Sequence, residues 1–230
     1  MFKICTKYTI ILFFISISLF AQNGPNEQNS NAKNINNQEF EGVITFEQQT
    51  FVDTLKYTYY VKGDLVKLVV NEDCSSCVTG DEAMIFDIKN KTITALKPSV
   101  HMYKDIPIKP YVEKRNNDFI ITQNPRNYKK INGYKCIQWR VKNIKENTEI
   151  SYWVVDANFD FFVDFLKLWN RTEKQSRYYL QIPNSTGYFP MMSVERTTLR
   201  EKRMQLQVKS VEARELDNSI FEIPPDYKEL

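Results

Sequence analysis

Leu55-Lys56-Tyr57-Thr58-Tyr59-Tyr60-Val61-Lys62-Gly63-Asp64-Leu65-Val66-Lys67-Leu68-Val69-Val70 decides the fold. Leu55, Tyr57, Tyr59 and Val61 fall on one side of an extended chain, and Lys56, Thr58 and Lys62 on the other. Only a β-strand puts alternate residues on opposite faces. Gly63-Asp64 supplies a two-residue turn with glycine first, and Val66, Leu68 and Val70 then resume the apolar face. This is a hairpin with one buried side.

The same rhythm recurs along the chain. Met84, Phe86 and Ile88 form an inward set, Lys89-Asn90-Lys91 turns, and Thr92 to Leu96 returns. After Asn132-Gly133, Ile137, Trp139 and Val141 alternate with Gln138, Arg140 and Lys142; Ile150, Tyr152 and Val154 follow. Met204, Leu206 and Val208 alternate with Gln205, Gln207 and Lys209. Eight or more such strands at short spacing predict a mainly β (α+β) fold built on a large curved antiparallel sheet, with one buried and one wet face. One segment departs from period two. About residues 157–171, Phe162, Phe165, Leu166 and Trp169 recur at helical spacing, with Asp156, Asp160 and Asp164 four apart on another face. A helix this apolar must cover something, and the buried face of the sheet is the available partner.

The ends are different in character. Residues 1–21 carry Lys3 and Lys7, an uncharged run from Tyr8 to Phe20 and a small exit residue, Ala21, which is the pattern of a secretory signal peptide. No cysteine sits just after the apolar run to take a lipid. Residues 22–39 read as a disordered, Asn-rich leader too polar to offset its ordering entropy. The folded domain is expected over 40–230, exported to a periplasm or secreted outright. Without Lys3 and Lys7 the 31 Lys+Arg become 29 against 28 Asp+Glu, a formal charge near +1, which argues against a nucleic-acid partner.

The order of short motifs along the domain is also informative. Phe40-Glu41-Gly42-Val43-Ile44-Thr45-Phe46 opens it, Met84-Ile85-Phe86-Asp87 leads to Leu96-Lys97-Pro98, and Gly133-Tyr134-Lys135-Cys136 precedes a strand. Tyr152-Trp153-Val154, Phe189-Pro190-Met191 and Phe221-Glu222-Ile223-Pro224-Pro225-Asp226-Tyr227 complete the series. This order resembles an uncharacterised family of exported envelope proteins similar to the lipoprotein-carrier (LolA/LolB-like) superfamily. The resemblance runs from residue 40 to the C-terminus. It implies an open half-barrel whose concave apolar face is roofed by helices and receives acyl chains. It transfers no catalytic residue and no binding motif. The Asn-rich leader, the Cys74-Ser75-Ser76-Cys77 motif and the presence of only one clear helix depart from the pattern.

The expected function is therefore non-enzymatic binding or carriage of a lipid, acyl chain or lipoprotein. If a ligand cavity exists, Phe162, Phe165, Leu166 and Trp169 line its helix side and Tyr57, Tyr59 and Phe86 its floor. A structural or sensory domain of the same fold, without a cavity, is the alternative. A thiol redox protein using Cys74 and Cys77 is a third reading. The turn residues Val78-Thr79-Gly80-Asp81 after that pair favour a disulfide over a helix-activated thiol, and Cys74, Cys77 and Cys136 are the disulfide candidates. Cys136, on the face of Gln138 and Arg140, need not be a core residue. No metal set, cofactor loop or hydrolase motif occurs, so no cofactor, metal or catalytic residue is assigned. His101 reads as structural or exposed, and the three aspartates as a solvated helical face. Lys109 to Lys145 holds ten Lys/Arg against Glu113 and Asp118, a stretch suited to an anionic membrane surface or an envelope protein partner, or to an ordinary solvated face.

Overall fold

The computed structural model describes residues 39–71, 82–113 and 117–230. Residues 1–21, expected to be a signal peptide, residues 22–38 of the expected leader, and Cys74 and Cys77 lie outside the described residues. One sheet of twelve strands dominates. Its first meander comprises β1 (Glu41–Gln49), β2 (Thr54–Lys62), β3 (Leu65–Asn71), β4 (Glu82–Asp87), β5 (Thr92–Lys97) and β6 (Met102–Asp105). The second comprises β7 (Phe119–Ile131), β8 (Tyr134–Asn143), β9 (Thr148–Asp156), β10 (Tyr188–Arg196) and β11 (Lys202–Ala213). The meanders join where β1 pairs antiparallel with β11. A two-residue strand, β12 (Lys228–Glu229), adds parallel to β6. The strand order β12-β6-β5-β4-β3-β2-β1-β11-β10-β9-β8-β7 leaves two edges, so the sheet is open rather than a closed barrel.

The turns form where the residues permit them. Gly63 has φ +54, and Asn132 and Gly133 have φ +48 and +83, the left-handed pair that matches a hairpin's twist. The alternating sets meet in register: Tyr59 faces Leu68, Leu68 faces Met84, and Trp139 faces Tyr152. These side chains share the concave face.

Helix α1 (Phe161–Trp169) lies over that face. It is shorter than the expected 157–171. Asn158, at φ +59, breaks the chain before it, and Asn170, at φ +45, ends it while its N–H donates to the Leu166 carbonyl at 2.9 Å. A second helix follows, α2 (Lys174–Tyr179), in a stretch whose polar composition hides it. The three aspartates do not share a helical face: Asp156 ends β9, Asp160 precedes α1, and only Asp164 is helical.

The outer face is not uniformly wet, contrary to expectation. Val43, Ala83, Ile85, Leu96, Leu216 and Phe221 form a second buried cluster. The C-terminal segment crosses the convex side to make it. It is held where the Leu216 N–H donates to Glu41 Oε1 at 2.7 Å and Lys62 Nζ donates to the Leu216 carbonyl at 2.6 Å. His101 belongs to this clasp: its Nδ1 lies 2.9 Å from Asp226 Oδ2 and its ring stacks on Tyr227 at 5.5 Å.

Gly42 is constrained at the seam between the meanders. A Cβ there would sit 2.1 Å from the Glu212 carbonyl oxygen, and its φ is +154. Gly42→Ala is expected to destabilise the fold by about 1–3 kcal/mol, read as a lower urea midpoint with an unchanged m-value. An unchanged midpoint would mean that β1 and β11 separate at that point without cost.

Candidate functional site

The sheet and the two helices do not meet flush. A cavity of about 340 Å³ remains between them, within the range of small-molecule pockets. Its floor is aromatic and aliphatic: Phe46 from β1, Tyr57 and Tyr59 from β2, Leu68 and Val70 from β3, Met84 from β4, and Met204 and Leu206 from β11. Its roof is Phe162, Leu166 and Trp169 of α1 with Gln175, Ser176 and Tyr179 of α2. A smaller space of about 60 Å³ shares Phe46, Tyr59, Phe162 and Leu206 as walls.

Of the seven residues expected to line a cavity, Tyr57, Tyr59, Phe162, Leu166 and Trp169 do so. Phe86 and Phe165 do not. Both are wholly buried, with their rings packed edge-on at 4.8 Å, and they form the solid core beside the cavity. The difference is position along the strand: Met84 reaches the cavity, whereas Phe86 lies two residues further, beneath the middle of α1. Residues of β11 and α2 join the lining beyond those expected. The spacing of Gln175, Tyr178 and Tyr179, all buried, is the sequence signal that marks α2.

The polar groups around the cavity are few. Arg171 and Glu173, in the exposed link between the helices, and Glu82, at the start of β4, stand at its open end. The Arg171 guanidinium lies over the Trp169 ring, 4.9 Å from its centre. Gln175 is 8% exposed, and neither Nε2 nor Oε1 of its amide has a hydrogen-bond partner. Burial pushes the phenols of Tyr59, Tyr152 and Tyr179 up, and that of Tyr57 too, with help from the Glu173 and Asp53 carboxylates. All four remain neutral at any physiological pH. The cavity wall is thus apolar and mostly uncharged.

Helix α2 is held over the cavity chiefly through Glu146, with a longer ion pair between Lys174 and Glu195 at 3.9 Å. Glu146, in the β8–β9 turn, accepts from Arg177 at 2.7 and 2.6 Å and from the Tyr178 hydroxyl at 3.0 Å. The Tyr152 hydroxyl donates to the Gln175 carbonyl at 2.7 Å. The hydrogen bonds from Arg177 are the largest influence on Glu146 and hold its carboxyl below the usual 4.5. A depressed folded value means that this stabilisation is complete above the unfolded value and is lost as pH falls through the folded one. The unfolding temperature should therefore fall more steeply below about pH 4.5 for the wild type than for Glu146→Gln. Parallel curves would show that the contact contributes nothing in solution.

Cys136 is a buried free thiol, a core residue although it shares a strand face with Gln138 and Arg140, and it makes no disulfide among the described residues. The Asn132-Gly133 hairpin end explains the burial. Ile131 is buried with it, and Asn132 Nδ2 donates to the Val208 carbonyl at 2.8 Å, drawing the tip inward. Burial pushes the Cys136 thiol up to about 11, against a smaller opposing pull from Lys129. Within the basic stretch, Lys129 lies 4.3 Å from the Trp153 ring, Lys135 lies 4.4 Å from the Tyr128 ring, and Lys145 pairs with Asp118 at 2.7 Å.

Residues 40–227 match a family model described as a domain of unknown function, DUF4412. The chain belongs to the DUF4412 family. No curated protein matches its sequence. Among solved structures, the DUF4412 domain is similar to an uncharacterized conserved protein from Thermus thermophilus (9% identity, TM-score 0.45), the alignment covering 83% of this chain and 90% of that one. It is similar to a chain of the Pseudomonas aeruginosa MucA/MucB complex (9% identity, TM-score 0.48, 81% of this chain and 56% of that one). A putative outer membrane lipoprotein-sorting protein domain from Vibrio parahaemolyticus is also similar (7% identity, TM-score 0.32, 78% of this chain and 87% of that one). The DUF4412 domain itself is an open, curved, largely antiparallel sheet with helices over its concave side.

Proposed function

We propose that this DUF4412 domain is an exported envelope protein that binds or carries an apolar ligand, such as a lipid, an acyl chain or the acyl chains of a lipoprotein, without covalent chemistry. The observation that carries the reading is the cavity of about 340 Å³ roofed by Phe162, Leu166 and Trp169 over Tyr57 and Tyr59. Neutral aromatic and aliphatic walls favour hydrocarbon by desolvation alone. Each methylene buried contributes about 0.8 kcal/mol, so ten would supply about 8 kcal/mol before the costs of association. The buried Gln175 amide, without a protein partner, offers a polar contact at one wall. The signal-peptide pattern of residues 1–21 supports export.

Solvent extraction of the natively purified protein, followed by mass spectrometry, tests the reading. Co-purifying lipid, displaceable by a fluorescent fatty acid, is the expected result. Repeated absence of lipid together with no binding of the fatty acid would leave the domain as a purely structural or sensory module.

A further inference from the structure

We propose that the domain docks on an anionic bilayer through three hairpin tips beside the open end of its cavity. The proposal rests on the cavity reading for its purpose but on separate residues for its evidence. The β1–β2, β10–β11 and β8–β9 hairpins turn at the same end of the sheet and stand side by side. Gln49 faces both Thr54 and Gln205, while Arg196 faces both Lys202 and Glu149. Side chains tie the tips together: Lys202 Nζ donates to Gln49 Oε1 at 3.3 Å, and the Thr198 N–H donates to Asn147 Oδ1 at 3.1 Å.

These tips carry large apolar side chains in water. Phe51 is 75% exposed, Val52 94%, Leu199 89% and Ile144 63%. Their exposure is built in, because the loops are closed by their own hydrogen bonds: Thr50 N–H to the Asp53 carbonyl and Thr197 N–H to the Glu201 carbonyl, both at 2.9 Å. The flanking charge fits one kind of surface. Residues 196–203 hold Arg196, Arg200, Lys202 and Arg203 against Glu201. Arg200, Lys202 and Arg203 are exposed and make no ion pair among the described residues.

Separate apolar points on the tips, with these unpaired cations clustered beside Leu199 and with Asp53 the one acid of the Phe51–Val52 loop, suit a deformable anionic interface better than a preformed protein pocket. The same end of the sheet holds Gln48, Val70, Glu82 and Met204 of the cavity wall. Docking would therefore bring the opening to the lipid headgroups, where an acyl chain leaves or enters the bilayer.

The test is co-sedimentation of the protein, purified as its host processes it, with phosphatidylglycerol-containing vesicles and with pure phosphatidylcholine vesicles. Binding to the anionic vesicles, weakened at high salt, is expected. Phe51→Ser/Val52→Ser/Leu199→Ser should weaken it by about a hundredfold. Arg200→Gln/Lys202→Gln/Arg203→Gln should weaken it by about fivefold per residue. Unchanged thermal unfolding of both variants shows that the fold is retained. Wild-type protein that binds neither vesicle, binds both equally, or is unaffected by either set of substitutions overturns the proposal. Fatty-acid binding measured without vesicles separates the two readings. If the wild type sediments with anionic vesicles but takes up no fatty acid, the cavity reading fails and docking stands.

Discussion

Phe165→Ala is expected to lower the unfolding free energy by about 3–5 kcal/mol, a large part of the roughly 5–15 typical of a domain. Phe165 is wholly buried at the centre of an aromatic cluster. Its ring lies 4.8 Å from Phe86, 5.3 Å from Trp169 and 5.4 Å from Tyr59. Truncation removes contacts from both the helix and the sheet, and the rigid strands beneath cannot close the gap. At about 2–4 °C per kcal/mol for a domain of this size, the melting temperature should drop by about 10 °C. Because Phe165 anchors α1, the roof of the cavity should loosen as well, and fatty-acid binding should weaken in step. A loss under about 1 kcal/mol would show that α1 is not seated on the sheet as described.

Leu206→Trp is expected to separate binding from stability. Leu206 stands on β11 opposite Gln48 and Ser193 and walls both the larger and the smaller cavity. It is only half-buried, so a larger side chain can grow into the cavity without entering the packed core. Taking up room for about three methylenes, at about 0.8 kcal/mol each, should weaken fatty-acid binding by about fiftyfold. Stability should hold or rise, since filling a cavity restores contacts its walls lack. Undiminished binding with the tryptophan in place would move the ligand elsewhere and leave Tyr57, Tyr59 and Phe162 as ordinary wall residues.

Much of this was legible along the chain. Alternation at Tyr57, Tyr59, Val66 and Leu68 identified the concave face because a strand has only two sides and hydrophobicity labels one of them. Phe162, Leu166 and Trp169 marked a helix too apolar to stand in water. Other features gave weaker signals. Lys174–Tyr179 looks polar until Gln175, Tyr178 and Tyr179 are seen to share one buried side. Val43, Ile85 and Leu96 sat on the face read as wet, because the segment that covers them, around Leu216 and Phe221, arrives from far along the chain. The burial of Cys136 is hidden for the same kind of reason, since its hairpin is tied to a distant strand, β11.

The sequence by itself determined that the domain is a sheet with an apolar side and a helix to cover it, because periodicity is a local property of neighbouring residues. Only the tertiary structure decided that β1 joins β11, that a second helix shares the roof, and that space remains beneath it. It also decided that Phe51, Val52, Ile144 and Leu199 gather at one end of the sheet. Each of those outcomes depends on which distant segments meet and how completely their side chains fill the volume between them, and no pattern along a single strand or helix records that.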